Sequence, residues 1–236
     1  MPKHGKRYLK LAQLVDKTRL YTVDEAVDLV QQTSEVKFDP TVEITIRLGV
    51  DPAKGEQNVR GSLTLPHGTG KTPRIAVFAK GEAAGAAEEA GADRVGGEDL
   101  IEAVDGGWSD FDVLVAHATM MRDVGKLGKK LGPRMPNKKA GTIGATPEEL
   151  AGIVRELKSG RVEFKMDRGA VLHVPVGRAS FAREQLCENL DALVGAVVKA
   201  RPSAAKGRYI LGLSLCSTMG PGIKVDVQDA TRRTAA

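Results

Sequence analysis

The stretch LPHGTGKT, residues 65–72, ends in a Gly-Lys-Thr that looks like the phosphate-cradling loop of nucleotide-binding proteins. Such a loop needs a glycine five positions before its second glycine, so that successive backbone N–H groups turn toward the phosphates. Leu65 stands at that position. The loop must also run from a buried strand into a helix whose N-terminus holds the anion. Here Thr72 is followed by Pro73 and a second strand-like run, RIAVFA. A Gly/Pro-rich bend between two extended segments fits these residues better than a nucleotide site. The fold turns on what the bend joins.

Upstream, TVDEAVDLVQQTS (22–34) opens with a capping box from Thr22 to Glu25 and repeats apolar residues at Val23, Ala26, Val27 and Val30, which predicts an amphipathic helix. TVEITIRLGV (41–50) alternates. Val42, Ile44, Ile46 and Leu48 fall on one face and Thr41, Glu43, Thr45 and Arg47 on the other, the pattern of a half-exposed strand. VRGSLTL (59–65) reads as its partner strand, leading into the bend.

Downstream the texture turns Ala/Gly-rich. RIAVFA, GEAAGAAEEAG, DRVG, EDLIEAVDGG and FDVLVAHA alternate as strands and helices do in a small parallel sheet with helical crossovers. A basic Gly/Pro loop, GKLGKKLGPRMPNKKAGTIG (125–144), precedes the helix TPEELAGIVRELKSG (146–160), where Thr146 caps, Pro147 opens the first turn and Glu149 completes a capping box.

After Gly160 the half-exposed texture returns. RVEFKMD and AVLHVPVGR, joined by Arg-Gly, read as a hairpin. SFAREQLCENLDALVGAVVKARP sets Leu186, Leu190, Leu193 and Val197 along one helix stripe, and YILGLSLCS turns Tyr209, Leu211, Leu213 and Leu215 inward. Neither flank has enough strands to cover its helices alone. The expectation is therefore a chain of α/β and α+β character in two domains. Residues 1–67 and 160–236 build one discontinuous domain, and residues 68–159 form an inserted parallel-sheet domain. The chain then crosses twice, at Pro66, His67 and Gly68 and again at Ser159 and Gly160, as a two-strand hinge.

The 236 residues, 42% hydrophobic and 28% charged, are enough for one large core or two modest ones. No apolar run approaches the roughly 20 residues that cross a bilayer, and the start MPKHGKRYLK lacks the apolar centre of a signal peptide, so a cytoplasmic address is expected. Cys187 and Cys216 form no CxxC pair and are expected to be buried small hydrophobes, with no zinc site and no disulfide framework. The net charge of +5 is unevenly spread. Residues 1–20 carry six Lys/Arg against Asp16, and residues 121–140 carry seven against Asp123, while residues 81–112 hold ten acids and only Arg94. An acidic block beside a polyanion would oppose binding, so one region is expected to bind while another faces away.

No catalytic or metal site is legible. His4, His67, His117 and His173 are scattered, with no HxxxH and no His/Asp/Ser spacing, and the acids fall on amphipathic helices. A polar strand face and a basic hairpin offer something else. Lys37, Phe38, Thr41 and Glu43 begin the first strand; Arg161, Lys165, Asp167 and Arg168 lie along the hairpin; STMGPG (217–222) follows the last strand. Phe38 can stack on a base or sugar, Glu43 can accept from base amino groups, and the backbone at Gly220 can approach a ribose 2′-OH with no side chain between. Taken singly, each has a plainer reading: Phe38 as a staple to the preceding helix, Glu43 as a solvated charge, TMGPG as a turn.

Together, KFDPTVEITIRLGVD, NVRGSLTLPHGTGK, VGKLGKKLGPR, NLDALVGAVVKARPSAAKGRYI and STMGPG resemble the bacterial L-one family of large-subunit ribosomal proteins, which belong to the mobile stalk beside the tRNA exit site. The resemblance runs from about residue 5 to 228. It implies a discontinuous split β-α-β first domain that binds large-subunit (23S) rRNA, and an inserted Rossmann-like second domain. It also implies help in releasing deacylated exit-site tRNA, and repression of the protein's own operon mRNA. No cofactor is implied. The family's RNA contacts would fall on Lys37, Phe38, Thr41, Glu43, Lys165, Arg168, Ser217, Thr218, Met219 and Gly220. One departure stands out: relatives usually carry Gly-Leu between the Arg and Met of LGPRMPN and Pro after that Asn, whereas Arg134 meets Met135 directly and Lys138 follows Asn137. A nucleotide-dependent enzyme built on the parallel-sheet domain and HGTGKT is the rival reading, and a pure translational repressor using the same patch is a third.

Overall fold

The computed structural model describes residues 5–234; Lys3 and His4 lie outside them. The described chain forms two compact units, one of residues 5–70 and 162–234 and one of residues 71–161. In chain order the first unit contributes α1 (Lys6–Ala12), α2 (Val23–Gln32), β1 (Thr41–Leu48) and β2 (Arg60–Thr64). The second contributes β3 (Ile75–Phe78), α3 (Glu82–Glu89), β4 (Arg94–Gly96), α4 (Glu98–Asp105), β5 (Val113–His117), α5 (Met121–Val124), α6 (Gly128–Leu131), β6 (Ile143–Gly144) and α7 (Pro147–Lys158). The chain then supplies β7 (Arg161–Lys165), β8 (Val171–Arg178), α8 (Arg183–Lys199), β9 (Ile210–Ser217), β10 (Ile223–Val225) and α9 (Val227–Arg233).

The first unit is built on an antiparallel sheet of order β10-β9-β1-β8. Val42, Ile44, Ile46 and Leu48 are buried, and Thr41, Glu43, Thr45 and Arg47 are half-buried or exposed, as the alternation requires. On the buried face lie α2, held by the full Thr22–Glu25 capping box, and α8, which buries Leu186, Leu190, Leu193 and Val197 along its stripe. Arg233 joins Asp24 at 2.6 Å and Asp191 at 3.2 Å, while Arg183 reaches Asp28 at 3.0 Å, tying α2, α8 and α9 together. Burial pushes the Cys187 thiol up to about 11, helped by the neighbouring Asp24 carboxylate.

Several local expectations are corrected. β2 pairs with β7 as a separate two-stranded sheet and is not the partner of β1. The 161–178 segment turns at Asp167 and Ala170, but its strands join different sheets, β7 with β2 and β8 with β1, so it is not a two-stranded hairpin. Leu211 is 44% exposed where an inward position was expected. The register of β9 against β1 shifts between Arg47 and Leu48, pairing Leu48 with Ile210 and Arg47 with Gly212; this irregularity buries Ile210 and turns Leu211 outward. Cys216, opposite Glu43, is only partly buried because it lies on the outward face.

The second unit is different in kind. Its sheet, of order β4-β3-β5-β6, is parallel throughout. Every residue of β3 is buried. Ala76 and Phe78 pack into one core with Leu100 and Val104 of α4, and Ile75 and Val77 into another with Ala83 of α3 and Leu150 of α7. Thr146 caps α7 as expected, but Glu149 accepts from the N–H of Ala145 instead of from that of the cap residue, so the box is not closed.

The opening bend carries no phosphate loop. Gly68 and Gly70 adopt positive φ, 65° and 70°, and after Thr72 the chain enters β3 with no intervening helix. Pro66, His67 and Gly68 lie inside the first unit. Wholly buried Asn189 accepts from the His67 N–H at 3.1 Å and donates to the carbonyls of Gly68 at 3.1 Å and Val176 at 2.8 Å, while the His67 ring meets Glu188. Ser159 ends α7 and Gly160, at φ 95°, follows it, both inside the second unit.

Candidate nucleic-acid interface

One end of the antiparallel sheet gathers most of the expected residues. Between α2 and β1 the chain is held at both ends. Thr33, buried, donates its hydroxyl to the Leu29 carbonyl at 2.8 Å, and Asp39 accepts from the Ser180 N–H at 3.2 Å and hydroxyl at 2.8 Å. Arg178 donates to the Asp39 carbonyl and to the Thr41 hydroxyl, both at 3.1 Å. Lys37 and Phe38 project from this braced loop, and Phe38 is 53% exposed instead of stapled to α2. An aromatic ring held in water by a fixed backbone is suited to stacking on a base or sugar.

The turn after β9 lies beside it. Thr218 donates its N–H to the Thr41 carbonyl at 2.9 Å and its hydroxyl to the same oxygen at 3.3 Å. Met219 is 65% exposed and takes the left-handed conformation, φ 69°. Gly220 has a different requirement: its N–H donates to the Ser217 carbonyl at 2.8 Å, and a Cβ there would collide with the Ser217 hydroxyl. Ser217 itself is buried, with no partner for its hydroxyl, so it supports the turn from behind and does not face outward.

Two cations that the sequence reading did not single out belong to this edge. Arg178 is one. The other is Arg7 of α1, which donates to the Glu35 carbonyl at 2.9 Å and the Met219 carbonyl at 3.4 Å. The basic run of residues 1–20 was the available signal, but nothing in it said where α1 would dock.

Glu43 lies one pair further along the outward face, between Pro175 and Cys216, and with burial it raises the Cys216 thiol above its ordinary value. Lys165 and Arg168 are not at this edge. Thr41 pairs with Arg178 and Arg47 with Val171, so six strand residues, roughly 20 Å, separate the first cluster from the turn that carries Arg168. Asp167 closes that turn by accepting from the N–H groups of Gly169 and Val171, each at 2.8 Å, so its role is structural. The outward face between the clusters is polar: Thr45 meets the His173 ring at 3.2 Å, and Ser214 pairs with Lys224. Among the described residues, Lys37, Arg47, Lys165, Arg168 and Arg208 make no ion pair, leaving their charges available to an anion.

The model of the ribosomal protein L1p/L10e family matches residues 30–221. The chain is also 52% identical, over 229 residues, to the large ribosomal subunit protein uL1 of Thermomicrobium roseum, covering 96% of this chain and 95% of that one. This chain belongs to the ribosomal protein L1p/L10e family. That family consists of structural ribosomal proteins and is not a family of enzymes, which places the chain at the ribosome, in the cytoplasm. The family match covers β1, the turn after β9 and the whole second unit; α1, with Arg7, precedes it.

Proposed function

We propose that this protein, as a component of the large ribosomal subunit, binds large-subunit rRNA through the outward edge of its first unit. The carrying observation is the convergence of Lys37, Phe38, Thr41, Thr218 and Met219, from segments about 180 residues apart, with Phe38 and Met219 held exposed on hydrogen-bonded backbone. Lys and Arg contacts supply salt-sensitive attraction to phosphates, and the rigid edge reads shape and 2′-OH groups. Lys165 and Arg168 then touch a second stretch of the same RNA, about 20 Å along the sheet. In this reading residues 1–67 and 160–236 are the RNA-binding domain. Residues 68–159 are a Rossmann-like domain, an assignment supported by the doubly wound order β4-β3-β5-β6, carried on a two-strand hinge. As part of a moving stalk the protein assists release of deacylated tRNA from the exit site, and the same edge represses its own mRNA when it meets a similar RNA fold there.

The test is binding to a large-subunit stalk RNA fragment. Phe38→Ala is expected to weaken binding by about 2 kcal/mol, the value of one lost base stack, with an unchanged melting temperature. Stalk-RNA binding by residues 68–159 alone as tight as that of the whole protein would sink the assignment. Saturable ATP or GTP binding at micromolar concentration would favour a nucleotide-dependent enzyme instead.

A further inference from the structure

The second unit carries a cavity of about 460 Å³ outside the edge just described, lined by Val104, Trp108, Phe111, Lys130, Leu131 and Arg134 among others. It lies at the N-terminal ends of the parallel strands, since Arg94 starts β4 and Phe111 precedes β5; the crevice where doubly wound sheets usually take ligands is at the opposite ends. Its walls are fixed. The N–H of Trp108 donates to the Ala103 carbonyl at 3.0 Å and that of Gly107 to Val104 at 3.1 Å, closing the end of α4. Lys130 ties the loop to α4 through the Asp105 carbonyl at 2.7 Å and carboxylate at 2.6 Å.

Phe111, buried, forms the floor, and the Trp108 ring, only partly buried, stands 5.4 Å from it at 49°. Two guanidinium groups flank these rings, Arg94 at 4.6 Å from the Trp108 centroid and Arg134 at 5.8 Å from that of Phe111. Neither is paired with a carboxylate among the described residues. Lys130 offsets the one carboxylate in the lining, Asp105, and the nearby Asp110 and Asp112 are paired with Arg74 and Lys71, so Arg134 leaves the lining with a net positive charge although the cavity lies within the acidic stretch of residues 81–112.

We propose that this cavity takes a nucleotide, and specifically an unpaired nucleotide of an RNA strand: the base stacks against Trp108 and the flanking phosphates meet Arg134 and Arg94. The volume suits a nucleoside, the lining is apolar and aromatic where a base would lie, Arg134 belongs to the lining, and Arg94 stands over the Trp108 ring beside it. A base inside a duplex cannot enter, because its faces are already stacked. The site is independent of the first unit's edge, and failure of either assignment leaves the other intact.

Trp108 is the only tryptophan in the chain, so its fluorescence reports on this cavity alone. The intact protein is titrated with an unstructured A-rich RNA of about eight nucleotides, AMP, a fully paired RNA hairpin and polyglutamate. Saturable quenching by the single strand is expected, with none by the hairpin or polyglutamate and only weak quenching by AMP. Arg134→Gln and Arg94→Gln, both at exposed positions and checked by thermal melting, are each expected to weaken the apparent Kd about fivefold at low salt. Absence of quenching by the single strand overturns the proposal, as does equal quenching by the hairpin or polyglutamate, or parent-like binding by both variants. AMP binding as tightly as the strand assigns the site to free nucleotides and overturns the strand.

Discussion

The two units bury their sheets in opposite ways. In the first, helices cover one face, and the other carries Thr41, Glu43, Thr45 and Arg47 to water. In the second, α3 and α7 lie on one face and α4 on the other, so that β3 has no outward residue at all. A sheet with a bare face offers a broad, rigid, hydrogen-bonded platform to a large ligand. A sheet covered on both faces can offer only its rims and loops, and there the aromatic cavity of the second unit is found.

This contrast makes graded claims. Ile44 and Thr45 are neighbours on opposite faces of β1. Ile44→Ala should lower stability to denaturant by about 4 kcal/mol through the cavity it leaves. Thr45→Ala should change it by no more than about 0.5 kcal/mol; similar losses from both would mean that the outward face is packed in solution. Asn189→Ala comes next. It leaves the buried Val176 carbonyl and the part-buried His67 N–H and Gly68 carbonyl without their Asn189 partner, for an expected loss of about 2 to 3 kcal/mol in the same measurement; a loss below about 1 kcal/mol would show the bend to be held by other contacts.

A smaller effect concerns the length of the platform. Arg168→Ala should flatten the log–log salt dependence of stalk-RNA binding by about 0.7 to 0.9, one phosphate contact. An unchanged slope would confine the RNA to the Phe38 end. The smallest effect is a difference of sign under acid. Burial pushes Asp93 of the second unit up, but the Lys158 ammonium and the Ile75 N–H outweigh it and hold the carboxyl below its ordinary value. Its contribution is present above the unfolded pKa near 4 and lost as pH falls through the lower folded value. Burial raises Asp191 of the first unit despite Arg233, so any stability linked to it is lost as pH rises through the folded value. Asp93→Asn should therefore flatten the decline of stability below about pH 4, and Asp191→Asn should not. Equal effects in a pH series of unfolding curves would contradict the assignment.

Much of this was legible in the sequence, because the two kinds of sheet write different periods. The two-residue alternation of TVEITIRL and the continuous apolar IAVF gave their burial directly, and Thr22 to Glu25 marked a helix start that the structure reproduces. What failed was partner choice and exceptions to phase. Nothing in RGSLT or RVEFK says that they pair with each other, since strand pairing is a long-range choice between similar edges. The phase of YILGLSLCS was read as unbroken, and a single register shift exchanged Ile210 for Leu211. At the candidate site, residue type pointed to Lys37 and Phe38, and the family resemblance to Thr218 and Met219, but neither could show that Ser217 is buried, nor that Gly220 is required by its contact with Ser217. Arg7 was missed because the docking of a short helix depends on residues far along the chain.

The position of β1 has a consequence for how the molecule is born. Its neighbours in the sheet are β8 and β9, and the nearer, β8, begins only at Val171. At roughly 5 to 20 residues per second, β1 leaves the synthesising ribosome several to some tens of seconds before either neighbour exists. All the strands of the parallel sheet are made within that interval, so the inserted unit can close while the first unit still waits. During the wait, TVEITIRL is an apolar strand with two unsatisfied edges, the kind of segment that pairs with other chains. Its alternate Thr, Glu, Thr and Arg, needed for the outward face of the finished sheet, also keep the nascent strand hydrated until its partners arrive.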